Sequence, residues 1–230
     1  MNKPVGNTAR LLGAGLRALL ALTAVCGLLY PLAVTGISQA VFPHQANGSE
    51  IRDKDGRVVG SSLIGQRYDL PGKGPGDPEE APRPDLRWFQ PRPSNGLGDN
   101  SVNTRYALRV SGATNKAADS PELVKTVEDA KAAVVAENSS KDYKVDPSDV
   151  PADAVTSSGS GLDPDISPAY AALQVHRVAE MNGLTVQQVE KLVQDHTQGR
   201  TLGFLGEPRV DVLELNVALK ALAGARARQG

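Results

Sequence analysis

At 230 residues the chain has room for one modest domain and an appendage, which excludes a large multi-domain enzyme. Its 25 Lys and Arg against 26 Asp and Glu leave a formal charge of -1, which gives no basic footprint for nucleic acid. Aromatic residues make up 4% and Cys26 is the single cysteine. The core must therefore be built from Leu, Val, Ile and Ala, without an internal disulfide or a Cys-based zinc site.

The amino terminus carries the strongest feature. From Ala18 to Phe42 the sequence ALLALTAVCGLLYPLAVTGISQAVF has no charged residue. At 1.5 Å per residue that suffices for a hydrocarbon core of about 30 Å, so 18–42 is expected to be a transmembrane helix. Lys3, Arg10 and Arg17 precede it without an acidic residue, whereas Glu50, Asp53 and Asp55 follow it. The positive-inside bias then places residues 1–17 in the cytoplasm and 43–230 outside, a single-pass protein of the cell membrane. Pro31 falls mid-span and is expected to kink the helix. Ser38-Gln39-Ala40 offers a small-x-small cleavage pattern, but the apolar run exceeds the roughly 7 to 15 residues of a secretory signal. Cys26 reads as a span residue, since Val25 stands where a lipoprotein signal takes a small residue.

Residues 1 to 43 hold three of the 25 basic residues and none of the 26 acidic ones, leaving 22 against 26 in the outer part. That mild acidity serves solubility and could concentrate cations near a membrane entrance. EIRDKDGRVVGSSLIG at 50–65 reads as a hairpin around Asp55-Gly56. PGKGPGDPEEAPRPDL at 71–86 holds eight Pro or Gly in sixteen positions and reads as exposed insertion. Ser120-Pro121, with Leu123, Val127, Ala130 and Val134 on one face, predicts a helix over 121–137. The stretch 138–161 is polar and broken by Pro147 and Pro151, with a short strand expected from Val155. Ser167-Pro168 starts a second helix with an inner stripe of Ala171, Val175 and Val178 and a stop at Gly183. Thr185 with Gln188 forms a capping box, Leu184 can staple onto Val189, and a third helix runs toward Gly199. A short strand near 210 and an Asp211/Glu214 cap lead into a fourth helix with Leu215, Leu219 and Leu222. The outer part is thus expected to be one α+β domain following a single N-terminal transmembrane helix.

Catalytic machinery is hard to find. PGKGPG lacks the spacing of a phosphate loop, and Gly159-Ser160-Gly161 is too short for a nucleophile elbow. His44, His176 and His196 are scattered, without HExxH or a cysteine partner, so no metal site is assigned. His196 lies near a helix C-terminus, where a partly cationic imidazole is favourable, and His176 is placed on a helix flank. An anchored domain of this kind is most economically a non-catalytic subunit of something larger. A binding protein unrelated to transport, released after Ala40 or anchored, is the alternative.

Several blocks carry a resemblance: FPHQANGS after the span, GSSLIGQ at 60–66, WFQPRPS at 88–94, SGATN at 111–115, SGLDPDISPAYAALQVHRVA at 160–179 and VDVLELNVALKAL at 210–222. In this order they resemble the C subunit of the Kdp-type potassium-transporting ATPase. The run 67–86 looks like an insertion relative to that pattern, and Asn95 stands where a small residue is usual. The resemblance implies an accessory subunit of a high-affinity ATP-driven potassium importer, not itself an enzyme. Its implied partners are a channel-like subunit carrying the ion and a P-type ATPase subunit hydrolysing ATP. The family is described as a catalytic chaperone that raises the ATP affinity of the hydrolysing subunit. Ser157 to Gly161 with Gln174 resemble a signature loop of ABC ATPases, which makes Ser160, Gly161, Asp163 and Gln174 the candidate nucleotide-binding residues. Gln174 and Arg177, three apart on one helix face, are candidate partner contacts.

The topology and a direct ATP contact exclude each other, because the bilayer core would lie between cytoplasmic ATP and the motif at 160–165. No cofactor of its own is expected, and ATP enters through the ATPase subunit. The motif also has a purely structural reading: its glycines make a turn, Asp163 and Asp165 precede a helix N-terminus where negative charge is favourable, and Ser167-Pro168 starts the helix.

Overall fold

A computed structural model describes residues 4–70, 83–94 and 111–226. It divides into two compact units, Met1–Ser49 and Glu50–Gly230.

The first unit is helical. Helix α1 (Pro4–Ala24) runs into a π-helical segment, Val25–Leu29, and on into α2 (Tyr30–Val41), followed by the single turn α3 (Pro43–Ala46). The stretch Gly6–Val41 is long and apolar enough to cross a membrane, and none of its most apolar window is buried. Pro31 has no N–H and its ring crowds the preceding turn, so regular α-geometry cannot pass through it. The helix answers by widening just before the proline, where the Tyr30 N–H donates to Val25 O. The expected disturbance at Pro31 takes the form of that π turn.

The second unit is α+β, in agreement with the sequence expectation. Strands β1 (Glu50–Arg52) and β2 (Val58–Ser61) pair antiparallel, with a bulge between Ile51 and Arg52. Asp53 closes the turn, its carboxylate accepting from the N–H groups of Asp55 and Arg57, and Gly56 takes φ 77°, which side chains disfavour. Beyond the hairpin, Leu70 N–H donates to Arg83 O and Asp85 N–H to Tyr68 O, with a β-bridge between Asp69 and Pro84. The two ends of the expected 67–86 insertion are therefore laced together, and 71–82 lie outside the described residues, as does Asn95.

Helix α4 (Pro121–Asn138) begins at Ser120, whose backbone is extended but whose side chain makes no capping bond. The polar run after it is ordered by short devices. A 3-10 turn at Pro147–Asp149 is capped by the Asp146 carboxylate, and a second at Ala152–Ala154 ends at Val155. The strand expected from Val155 is therefore absent. Val155 is in the core, with Val145 and Ala154 beside it in the same buried cluster, and these apolar residues pin a segment whose composition alone suggests a loose loop.

Strand β3 (Asp165–Ile166) leads into α5 (Pro168–Asn182). The Ser167 hydroxyl accepts from Tyr170 N–H, and Asp153 in turn receives the Ser167 N–H and hydroxyl at 2.7 and 2.9 Å. Gly183 ends α5 at φ 62° in the left-handed region. Helix α6 (Val186–Asp195) starts at the full Thr185/Gln188 capping box. Strands β4 (Thr197–Gln198) and β5 (Arg209–Asp211) follow, then α7 (Val212–Arg226), whose first turn is capped by Asp211 accepting from Glu214 N–H at 2.8 Å. The small antiparallel sheet has β5 at its centre, with Val210 opposite both Ile166 and Thr197. Ile166, Val210, the α5 stripe Ala171, Val175 and Val178, Val189 of α6, and Leu215 and Leu219 of α7 make one buried core.

Candidate functional site

The site builds outward from a strap at 86–94, which opens with a turn closed by Trp88 N–H on Asp85 O and, among the described residues, pairs with no strand. A buried backbone without a ladder must find other hydrogen-bond partners. Two helices supply them. Gln174 of α5 is fully buried, its Oε1 accepting from Gln90 N–H at 2.7 Å and its Nε2 donating to Gln90 O at 3.1 Å. Asn216 of α7 does the same one residue earlier, with Oδ1 on Phe89 N–H and Nδ2 on Phe89 O, both at 2.9 Å. Two side-chain amides thus stand in for a neighbouring strand, and Phe89 between them has no exposed surface.

Arg177 completes the clamp. It donates to Leu86 O and Trp88 O, to Asn138 Oδ1 at 2.8 Å and to Gln174 Oε1 at 2.6 Å. Burial lowers its pKa to about 10, an effect that Tyr170, Glu137 and Asp85 oppose, so it stays cationic at neutral pH. Glu137 is pushed up by its own burial, with Arg177 pulling the other way. The Tyr170 phenol is likewise pushed up by burial. Glu137 and Tyr170 line a cleft of ≈ 350 Å³ beside the strap, together with Arg67, Asp69, Arg92 and Ser94.

The far end of the strap holds the motif loop. Arg92 donates to Asp163 Oδ2 at 3.0 Å and to Thr156 O at 3.3 Å, Ser158 N–H donates to Pro93 O, and the Ser94 hydroxyl donates to Gly161 O. From the other side Gly65 N–H donates to Leu162 O at 2.8 Å. A Cβ on Gly65 would lie 2.5 Å from the Asp163 carbonyl oxygen, so the two backbones approach as only glycine allows. Ser160 O accepts from Gly112 N–H and the Ser111 hydroxyl, and Gly161 bends the loop at φ 68°. Among the described residues, the buried polar atoms without a partner are Tyr68 OH, Arg92 Nε and Ser158 Oγ, and the last two belong to this junction.

The candidate residues are therefore not gathered around one opening. The Ser160 side chain is exposed, Gly161 is buried in the turn, Asp163 is half-buried against Arg92, and Gln174 lies in the core with both amide atoms engaged. The expectation that Gln174 and Arg177 face a partner meets a different arrangement: both are buried, and their polar groups bind Gln90, Leu86, Trp88, Asn138 and each other. Periodicity marks polar residues as outward, and it cannot register a polar side chain drawn inward by a backbone 84 residues away. Asn216, unremarked in the sequence, carries the same signal: an amide in the middle of the apolar VDVLELNVALKAL helix.

Other polar groups find local partners. His196 Nδ1 donates to Leu192 O at the end of α6, and His176 stacks on Tyr143 with ring centres 3.7 Å apart. Among the described residues no group of three His, Cys, Asp or Glu is placed to hold a metal ion.

Residues 12–221, which span the helix, the strap and the motif loop, match the family described as "KdpC: K+-transporting ATPase, c chain". The chain belongs to the KdpC family. The chain is 69% identical to a protein of Streptomyces avermitilis over 96% of this chain and 98% of that one. It is 66% identical to one of Streptomyces coelicolor over 96% and 97% of the two chains, and 45% identical to one of Kineococcus radiotolerans over 97% and 100%. Each of these relatives is named a potassium-transporting ATPase KdpC subunit. Within the KdpC family, then, the strap and motif loop of this chain form a latch closed by backbone and buried side chains.

Proposed function

We propose that the chain is an accessory subunit of an ATP-driven potassium-import complex, held in the cell membrane by its one apolar helix, with a channel-like subunit and a P-type ATPase subunit as partners. The observation that carries this reading is the near-full-length similarity to relatives named potassium-transporting ATPase KdpC subunits, combined with the one helix, among the described residues, long and apolar enough to span a bilayer. The N-terminus faces the cytoplasm and the α+β domain the outside, as the charge bias around the helix favours. The chain performs no chemistry itself and contributes by assembling and stabilising the complex. Any rise in the ATP affinity of the hydrolysing subunit is transmitted through assembly. Gly161, Asp163, Gln174 and Arg177 shape the domain, and Ser160 is the motif side chain left to meet a partner.

The test is expression of the complex with and without this chain, followed by purification and potassium-stimulated ATP hydrolysis. Loss of the intact complex, or of its potassium-stimulated activity, is expected. A complex that purifies intact and transports normally without the chain overturns the reading. Orientation is read separately from Ser160→Cys in a Cys26→Ser background. Labelling of intact cells by a membrane-impermeant thiol reagent is expected. Labelling only after the membrane is opened reverses the topology and makes direct nucleotide contact at Ser160 the leading account.

A further inference from the structure

Among the described residues of the domain, the connection between β4 and β5 carries the densest run of exposed apolar side chains. At its tip, Thr201 and Leu205 exchange backbone hydrogen bonds at 2.9 Å each way, and Gly203 N–H donates to Arg200 O, so the loop is a formed turn. Below the tip, Arg200 and Glu207 form an ion pair at 2.8 Å that ties the two arms. Yet the residues displayed are Leu202, Phe204 and Leu205, at 79%, 69% and 50% exposure. Leu202 takes φ 55°, in the left-handed region that asparagine or glycine occupies at lower cost. A leucine here is unfavourable twice, in its backbone and in its contact with water, and nothing in the fold of the domain calls for it.

We infer that this tip is a membrane-interface anchor: Leu202, Phe204 and Leu205 enter the headgroup and acyl-chain boundary of the bilayer that holds the chain's own apolar helix. Three side chains on a narrow turn are too small a surface for a stable protein contact, which buries on the order of 1,000 Å² or more, but they suit a shallow apolar wedge in lipid. Distance permits it. The apolar helix ends at Val41 and β1 begins at Glu50, so only eight residues, four of them in the turn α3, separate the membrane-spanning helix from the domain. Tethering also supplies a high effective concentration, so an insertion too weak to recruit a free domain suffices to orient a tethered one. Glycines at 203 and 206, with φ 84° and 76°, let the backbone turn beneath the apolar residues without adding bulk.

This inference rests on the apolar helix spanning the membrane, and the experiment separates the two. The full chain carrying Cys26→Ser and Leu205→Cys is labelled at position 205 with an environment-sensitive fluorophore and reconstituted alone into phospholipid vesicles. Flotation and carbonate extraction of the same sample report whether the helix is inserted. With the helix inserted, the expected result is quenching by spin-labelled acyl chains several-fold stronger than by aqueous iodide, with the order reversed for the same probe at Ser160→Cys. Adding Leu202→Asp and Phe204→Asp should return the 205 probe to water while leaving the helix inserted. Iodide quenching at 205 equal to that at 160 overturns the inference. So does a 205 probe shielded only in the whole complex and untouched by lipid quencher, which would make the tip a contact to another subunit.

Discussion

Replacing Gln174 by Met tests whether side-chain amides hold the strap. Methionine matches glutamine in length and lacks branching, so the fold keeps its packing while Gln90 N–H, Gln90 O and one Arg177 donor lose their partner. Orphaning a buried polar group costs about 1 to 3 kcal/mol, more where the group is charged, so the three together are worth roughly 3 to 9 kcal/mol. For a domain of this size each kcal/mol lowers Tm by about 2 to 4 °C, which predicts a fall of roughly 6 °C or more. Trp88 is the only tryptophan and lies in the strap, so its fluorescence during thermal or urea unfolding of the full chain in detergent reports the element concerned. Gln174→Glu, which keeps the acceptor for Gln90 N–H and Arg177 but loses the donor, should fall in between. The exposed Gln187→Met serves as control. A Gln174→Met chain that unfolds within about 1 kcal/mol of that control would refute the account of the strap.

Two further outcomes follow from the same region and its neighbours. Gly65→Ala pushes a methyl group against the Asp163 carbonyl and should cost about 1 to 3 kcal/mol, loosening the motif loop and raising thiol reactivity at Ser160→Cys. Asp211, buried at the start of α7, has its pKa raised to about 6, chiefly by burial, although the Glu214 N–H opposes the rise. Its folded form therefore holds a proton that the unfolded chain releases near pH 4, so stability should fall as pH rises from about 4 to 6. Asp211→Asn keeps the cap on Glu214 and should flatten that slope, gaining about 1 to 2 kcal/mol at pH 7 by chemical denaturation. An unchanged slope would show that Asp211 is not its source.

What the sequence makes legible here is local. Ser167-Pro168, the Thr185/Gln188 box, Gly183 and the Asp211 cap are decided by groups within four residues, and each is found where its pattern predicts. Ser120 shows the limit, since it occupies the right position without making the bond. The strap was illegible for a different reason: WFQPRPS has two prolines and no alternation, and its partners lie 84 and 127 residues further on. Val155 misleads by β-propensity, because one turn of 3-10 helix buries it as well as a strand would.

The pairing of Phe89 with Asn216 also sets an order of events. Until residue 216 has emerged and α7 has formed, the backbone of Phe89 lacks its partner and the strap is held only from the α5 side. Local helices can form as they are made, but the tertiary fold waits for nearly all of the domain to become available. Over that interval the apolar side of α5 is only partly covered, so a chain delivered across a membrane would depend, while it folds, on protection that the finished domain no longer needs.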